Sequence, residues 1–205
     1  MRRPGWASAG NDERQQTKHP PDTMSTTNDH LLNMRACSSA KQWAEKHSTW
    51  KDIIGNCERP DWLLWLDERL NILDDKDRHL LAVHFVRTTP LADGRTVFDL
   101  LTDERSRNAL AVAELYAEGK ATAAARDAAV AAAGDAARAA GAAGAAAGAA
   151  AWAAGAAGAA GAARAAVAAA GDAARDAAWK HQAKYIRRKY GKRIIAVLVK
   201  QYPTS

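Results

Sequence analysis

One stretch of 23 residues limits what this chain can fold into more than any other. Positions 141–163 read GAAGAAAGAAAWAAGAAGAAGAA, so Trp152 is the only side chain there larger than a methyl group. Such residues offer no acid, base, nucleophile or metal ligand. Ala has the highest helix propensity, and the Ala-rich region 121–178 therefore predicts helix. A straight helix over 122–178 would be about 85 Å long, so we expect either a hairpin that turns near 155–161 or a protruding arm.

Glycines recur through this region with heptad-like spacing. Four are seven residues apart and two more follow members of that series by three, namely Gly134, Gly141, Gly148, Gly155, Gly144 and Gly158. Backbone exposed along such a seam lets a second helix approach closely, either from the same chain or from another copy. The alternative is that Gly replaces Ala here without a structural role, and the pattern leaves both open.

The uncharged run 139–163 is long enough to cross a bilayer and contains a GxxxG at Gly144–Gly148. However, it contains no Leu, Ile, Phe or Val, and it lacks the flanking aromatic residues of a membrane span. We therefore expect no membrane insertion.

Most of the large apolar residues precede position 121, so the core is predicted in a helical domain over 28–120. A first helix is predicted from a face of Leu32, Ala36, Ala40, Trp43 and Ala44, capped by a polar residue of 27–29. A second helix follows Pro60, with a stripe that consists of Trp62, Trp65, Leu66 and Leu70. Residues 74–89 form a third helix that stops before Pro90.

Local signals then delimit a fourth helix. Thr102 or Asp103 starts it, and Gly119 suits a left-handed residue just beyond its end. Its buried face is predicted to consist of Ala109, Val112, Ala113 and Tyr116. Thr122 then caps the Ala-rich region, and the connection 91–103 holds at most a helical turn. Residues 1–27 are polar and rich in Pro, so we expect a disordered extension, with MSTTND from Met24 reading as a natural start.

The composition changes sharply at residue 179. The segment 179–205 has no acid, and its first half interleaves Trp179, Tyr185 and Tyr190 with seven cations: Lys180, Lys184, Arg187, Arg188, Lys189, Lys192 and Arg193. Together with a net charge of +6 and a pI near 9.5, this pattern suits nucleic acid. The alternative is a solvated helix face whose aromatic rings pack on the core. The following IIAVLVK is predicted to be helical.

No pattern in the chain indicates an enzyme or a cofactor site. There is no phosphate-binding glycine loop and no local signature of a catalytic triad. The spacings of Cys37, His47, Cys57, His79 and His84 do not match those of zinc sites. The cysteines Cys37 and Cys57 are expected to be reduced and buried, as in a cytoplasmic protein.

Three short blocks carry a resemblance to a known family: LLNMRACSSAKQWA, CERPDWLLWL at 57–66 and AELYAEGKAT. With the Ala-rich region they resemble a family of Ala-rich actinobacterial and phage proteins, many of which look like immunity proteins of polymorphic toxin systems. The resemblance covers roughly residues 26–188. It implies an all-α, non-enzymatic protein that binds a cognate toxin, with Trp43, Trp62 and Trp65 in the core.

The sequence therefore predicts an all-α protein with a small helical domain, an Ala/Gly-rich helix or hairpin, and a basic C-terminal helix. Its predicted function is binding of a protein partner without catalysis. Association with nucleic acid through the basic segment, and self-association through the Ala-rich region, remain as alternatives.

Overall fold

The computed structural model describes residues 26–139 and 174–203, together with positions 161, 165, 166, 168 and 171. Within this part of the chain all regular secondary structure is helical, apart from one isolated β-bridge between Pro90 and Thr96. The predicted all-α class is therefore confirmed. Residues 1–25 of the predicted extension lie outside the described residues, whereas Thr26 and Thr27 are ordered, contrary to the prediction, because they cap and begin the first helix.

Eight α-helices and one short 3-10 helix make up the described fold. In chain order they are α1 Thr27–Asn33, α2 Ser38–Ala44, α3 Trp50–Asn56, α4 Pro60–Leu70, α5 Asp75–Thr88, the 3-10 helix Val97–Leu100, α6 Glu104–Ala117, α7 Ala123–Ala139 and α8 Arg175–Gln201.

Most predicted helix boundaries lie within a residue or two of the observed ones, because short-range hydrogen bonds set them. Thr26 and Asp29 form a capping box, so α1 begins one residue before the predicted boundary at 28. Pro60 occupies the first turn of α4, and the side chain of Asp103 caps α6. Gly119 has a left-handed φ of +73°, as predicted.

The prediction of one helix over residues 32–44 is wrong. Arg35 adopts a left-handed φ of 61°, and its amide bonds to the carbonyl of Leu32, so α1 ends there and α2 begins as a separate helix. The supposed common face is therefore divided between two helices. Leu32 is 58% exposed, whereas Leu31 is buried.

The predicted stripe of α4 is rotated around the helix relative to the buried face. Leu63, Leu64 and Leu66 are almost fully buried, while Trp62 and Trp65 are only half-buried. Both tryptophans, like Trp43, pack against buried residues but keep part of their rings accessible. The expectation that these three rings lie inside the core is therefore corrected: they lie at its edge.

The larger of two principal hydrophobic clusters, here called the first core, joins both ends of the described chain. The first four helices contribute residues such as Leu31, Trp50, Ile54 and Leu63, and α8 contributes Ala183, Ile186, Tyr190, Ile194 and Leu198. Trp50 is 1% exposed, and its indole N–H donates to the backbone carbonyl of Tyr202 at 2.8 Å. The basic C-terminal segment is thus part of the core, and its IIAVLVK sequence is helical as predicted.

The second core lies on the other side of α5. It contains Val97 of the 3-10 helix, Leu101, which follows that helix, and Leu110 and Ala113 of α6. Helix α5 supplies Leu81 and Phe85 to the first core and Ala82, Val83 and Val86 to the second core. A helix that is apolar on both sides must be covered on both sides, so α5 lies between the two cores.

The Ala-rich region contributes to the second core from two places. Ala129 and Ala133 of α7 are buried there, and so is Ala166. Positions 133 and 166 would be about 50 Å apart in one straight helix, so these two alanines do not belong to one straight helix, which is one of the two alternatives predicted for 122–178. Residues 155–160, where the hairpin alternative places its turn, lie outside the described residues. Among the residues that are described, no helix is long and apolar enough to cross a membrane.

Candidate functional site

An open cleft of about 380 Å³ lies where α2, α4 and the start of α8 meet. We call it the tryptophan cleft. It is lined by Trp43, Asn56, Glu58, Arg59, Trp62, Asp176, Trp179 and Lys180. Trp43 comes from α2, Trp62 from the first turn of α4 and Trp179 from α8, so the cleft exists only once α8 has docked.

Arg59 occupies the centre of the tryptophan cleft. Its guanidinium carbon lies 4.8 Å from the ring centroid of Trp62 and 4.4 Å from that of Trp179. Nε and Nη2 donate to the two carboxylate oxygens of Asp61 at 2.9 and 2.7 Å. Two aromatic faces and a bidentate carboxylate therefore hold the guanidinium in one orientation. The hydrogen bonds that the guanidinium donates to Asp61 also raise the pKa of Arg59.

The local sequence explains why Arg59 points into the cleft. It precedes Pro60, which disfavours helical geometry in the residue before it. Arg59 is therefore extended, with φ −104° and ψ 101°, and it lies just outside α4. Asp61 follows in the first turn of α4, where a carboxylate is favourable, and so comes within reach of the guanidinium.

The aromatic rings of the cleft support one another. Trp43 and Trp62 have ring centroids 5.7 Å apart, and His47 packs on Trp43 at 4.5 Å. Trp43 and Trp62 pack against the first core, and Trp179 packs against Ala174 and Ala178 at the start of α8. All three tryptophans are half-buried. The cleft is thus a rigid surface that remains accessible.

The charges at the rim of the cleft largely compensate each other. Lys180 Nζ lies 3.4 Å from a carboxylate oxygen of Glu58, and Arg59 is paired with Asp61. Asp176, exposed in the first turn of α8, has no ion-pair partner among the described residues. The lining residues are three tryptophans, one amide, two carboxylates and two cations, so the cleft offers an apolar surface with charged groups at its edge.

The seven cations predicted to bind nucleic acid fall into two groups. Three are engaged by the protein: Lys180 with Glu58, Arg193 with Asp77 at 2.7 Å, and Arg187, which donates to the carbonyl of Cys57 at 2.8 Å. Lys184, Arg188, Lys189 and Lys192 are exposed and have no acidic partner in the described part of the chain. The structure therefore does not bring all seven to one surface.

The glycine seam can be placed only at its first member. Gly134 lies within α7 and is half-buried. Gly141, Gly144, Gly148, Gly155 and Gly158 lie outside the described residues, so the predicted packing seam stays a prediction.

The cysteines differ in environment. Cys57 is buried, and this burial raises the pKa of its thiol to about 11. Cys37 is exposed, contrary to the expectation, because it precedes α2 on the surface. Hydrogen bonds from Ser39 and the backbone of Ala40 lower the pKa of the Cys37 thiol. Both thiols are free, and no cluster of three or more possible metal ligands occurs among the described residues.

A histidine pair joins α5 to α8. The rings of His84 and Tyr185 stack with centroids 3.4 Å apart, and His181 lies parallel to His84 at 6.1 Å. Thr88 Oγ1 lies 3.2 Å from Nε2 of His84 and 2.9 Å from Nε2 of His181. Burial, His181 and Arg188 lower the pKa of His84 to about 4. Burial also lowers the pKa of His181, with smaller effects from Lys184 and Arg188.

Comparison with protein-family models, with curated proteins and with solved structures finds no match to this chain. The functional argument therefore depends on the geometry of its own surfaces.

Sequence reasoning missed the central residue of the cleft. The CERPDWLLWL block predicts tryptophans in the core and no role for Arg59. The available signal was the Arg-Pro-Asp-Trp order, which places a cation, an acid and a ring at one helix start. Trp179 could not be added from the sequence, because it is 117 residues away from Trp62.

Proposed function

We propose that this chain is a non-enzymatic protein-binding module and that its partner docks on the tryptophan cleft. The observation that carries the proposal is the placement of Arg59 between Trp62 and Trp179, beside Trp43. Trp and Arg are the residue types most enriched among the energetic hot spots of protein interfaces. Here they converge in one accessible cleft.

The rigidity of the cleft supports binding. Association costs free energy for each rotamer-rich side chain that becomes ordered. The guanidinium of Arg59 is already fixed by Asp61, and Trp43 and Trp62 are fixed by the first core. Little of this cost therefore remains to be met when a partner docks.

The chemistry of the cleft indicates what the partner presents. The three rings offer an apolar surface that fits one large aliphatic or aromatic side chain of the partner. The carboxylate of Asp176 lines the same cleft without a cation of its own in the described part of the chain. The partner segment that fits is therefore an apolar anchor residue next to a Lys or Arg that pairs with Asp176.

The resemblance of residues 26–188 to immunity proteins supports a toxin as the class of partner. Neutralisation by an immunity protein needs tight binding alone, which agrees with a cleft lined by three tryptophans and a fixed guanidinium. Self-association would depend on the Ala-rich region, half of which lies outside the described residues.

The proposal is tested by affinity capture from the host lysate, with and without nuclease, using the wild-type chain and Trp179→Ala. The matched control is Leu115→Ala, which removes an exposed apolar side chain of α6 far from the cleft. Circular dichroism melts verify that both variants are folded. Any captured protein is identified, purified and titrated against each variant by calorimetry.

We expect a nuclease-resistant partner that binds one to one, with affinity at least about tenfold lower for Trp179→Ala and unchanged for Leu115→Ala. Asp176→Asn should weaken the same complex. A purified partner that binds Trp179→Ala as tightly as the wild type would overturn the cleft as the docking site. Loss of all captured material after nuclease treatment would overturn protein binding.

A further inference from the structure

From Lys184 onwards, α8 presents cations that form no ion pair among the described residues. Lys184, Arg188, Lys189, Lys192 and Lys200 are exposed and have no acidic partner among the described residues. We call this set the basic face. Three other cations of α8 are engaged by Glu58, Asp77 and the carbonyl of Cys57. Arg188 lies 5.6 Å from the ring centroid of Tyr185 but remains exposed.

Helix geometry gathers the basic face on one side of α8. At 100° per residue its five members fall within an arc of about 160° and extend over about 24 Å. Ile186, Tyr190, Ile194 and Leu198 occupy the opposite arc and are buried in the first core. Docking of α8 therefore orients the cations outward and fixes their spacing on a rigid helix.

The acids near α8 lie away from the middle of this arc. The sequence has no Asp or Glu after Asp176. Asp77 at the start of α5 pairs with Arg193, and Glu58 pairs with Lys180 at the other end of α8. The positive charge of the basic face is thus uncompensated by the described residues around it.

Aromatic stacking platforms are missing from the basic face in the described part of the chain. Tyr185 is stacked on His84, and Tyr190 is 5% exposed. Binding of single strands commonly depends on such platforms, whereas a duplex hides its bases and offers phosphates. Val199 is the large exposed apolar residue of α8, and one such residue does not form the wide apolar face that a lipid-binding helix needs.

We infer that the basic face binds the phosphate backbone of a nucleic-acid duplex, DNA or RNA, without reading its sequence. The cations form the contact by replacing counterions condensed on the duplex. This surface is separate from the tryptophan cleft, so the inference does not depend on the proposed function.

The test measures binding of the full chain to a labelled DNA duplex of about 20 base pairs, to the same RNA duplex and to one single strand, over about 50–200 mM salt. The variant carries K184Q, R188Q, K189Q and K192Q. A matched control, K41Q/K46Q/K51Q/R69Q, removes the same charge from α2, α3, α4 and their connections. Because each neutralised phosphate contributes about −0.9 to the logarithmic salt slope, five contacts predict a slope of about −4.5 for the wild type.

We expect the slope to fall to about −1 in the quadruple variant and to remain near the wild-type value in the control. If the quadruple variant folds poorly, the double variant K189Q/K192Q, with only two surface changes, replaces it. The magnitude of its slope should be about 1.8 lower than that of the wild type. Trp179→Ala should leave duplex affinity unchanged. Equal losses in variant and control, tighter binding of the single strand, or no duplex binding below about 100 µM would each overturn the inference. The inference would also be overturned if the chain bound anionic vesicles or an acidic protein but not the duplex.

Discussion

Asp67 is a carboxylate that the fold has removed from water. It is 3% exposed and accepts hydrogen bonds from the amide of Leu73 at 2.7 Å and from Nε of Arg78 at 3.1 Å. The contact holds the connection between α4 and α5, where Asn71 has a left-handed φ of 49°. A single side chain therefore fixes the angle at which the central helix leaves α4.

Replacement of Asp67 by Ala should lower the free energy of unfolding by about 3 kcal/mol, because a buried amide and a guanidinium lose their acceptor. Asp93→Ala breaks a pair with Arg95 that is exposed on both sides, and it should leave the free energy of unfolding nearly unchanged, because water screens such pairs. Urea denaturation measures both. Equal effects of the two substitutions would contradict the role given to Asp67.

Two glycines with open space around them should respond in opposite directions to the same substitution. A Cβ at Gly55 or at Gly119 would meet nothing within 4 Å. Gly55 lies inside α3, so Gly55→Ala should stabilise the protein by about 0.5 kcal/mol. Gly119 has a φ of +73°, so Gly119→Ala should destabilise it by about 1 kcal/mol. Thermal melts of the two variants give the signs directly.

At the scale of elements, α8 docks on α5 through groups that stay neutral. The pKa of His84 is lowered to about 4, and that of His181 is lowered as well. Lys184 and Arg188 of α8 are the cations nearest to this pair. In the unfolded chain an imidazole binds its proton near pH 6.5, so the unfolded state takes up more protons below that pH. The stability contributed by the neutral pair is present above about pH 6.5 and is lost as the pH falls towards 4.

His84→Phe should therefore flatten the loss of stability in acid, because the ring stack on Tyr185 remains while the titration of His84 disappears. Urea denaturation at about pH 7.5 and pH 5 compares the variant with the wild type. The difference between the two pH values should be smaller in the variant. An unchanged difference would assign the acid sensitivity to other groups.

The elements show which part of the fold the sequence could predict. Pro60, Pro90, Thr122 and Gly119 act on the backbone within a few residues, so they placed helix ends correctly. The direction of the faces was less predictable. In α4 the spacing predicts a buried stripe with Trp62, Trp65 and Leu66, of which Leu66 is buried as predicted. Tertiary packing buries Leu63 and Leu64 beside it and leaves the two rings at the edge.

The candidate site depended even more on distant contacts. Local sequence brings Arg59, Asp61 and Trp62 together, and that part could be predicted. Trp179 joins them because Ile186, Ile194 and Leu198 of α8 are buried in the first core, which is a property of the whole chain. The same packing divided the seven cations of α8 into engaged and exposed groups, whereas the sequence shows only that they are basic.

At the scale of the whole molecule, α5 connects two cores that would otherwise be separate. Phe85 is fully buried on one side of the helix, and Val86 is fully buried on the other. Disruption of either core removes packing from α5 and therefore weakens the other. We expect the described cores to unfold in one transition.

Val86→Ala tests this coupling. It should cost about 1–2.5 kcal/mol, because it removes two methyl groups from the second core. The described tryptophans lie outside that core: Trp50, Trp43, Trp62 and Trp65 belong to or pack on the first core, and Trp179 packs on Ala174 and Ala178. Their fluorescence midpoint should nevertheless shift by as much as the helical signal in circular dichroism. A fluorescence midpoint that stays at the wild-type value would show that the cores unfold independently.

The contribution of α8 to the first core has a consequence for synthesis on the ribosome. Phe85 emerges long before Ile186, Ile194 and Leu198, which cover the same cluster. At about 5–20 residues per second the interval between residues 85 and 198 lasts about 6–23 s. During that time the apolar side chains of the first four helices remain partly uncovered on the nascent chain. They are therefore available to chaperones until translation has reached the last turns of α8.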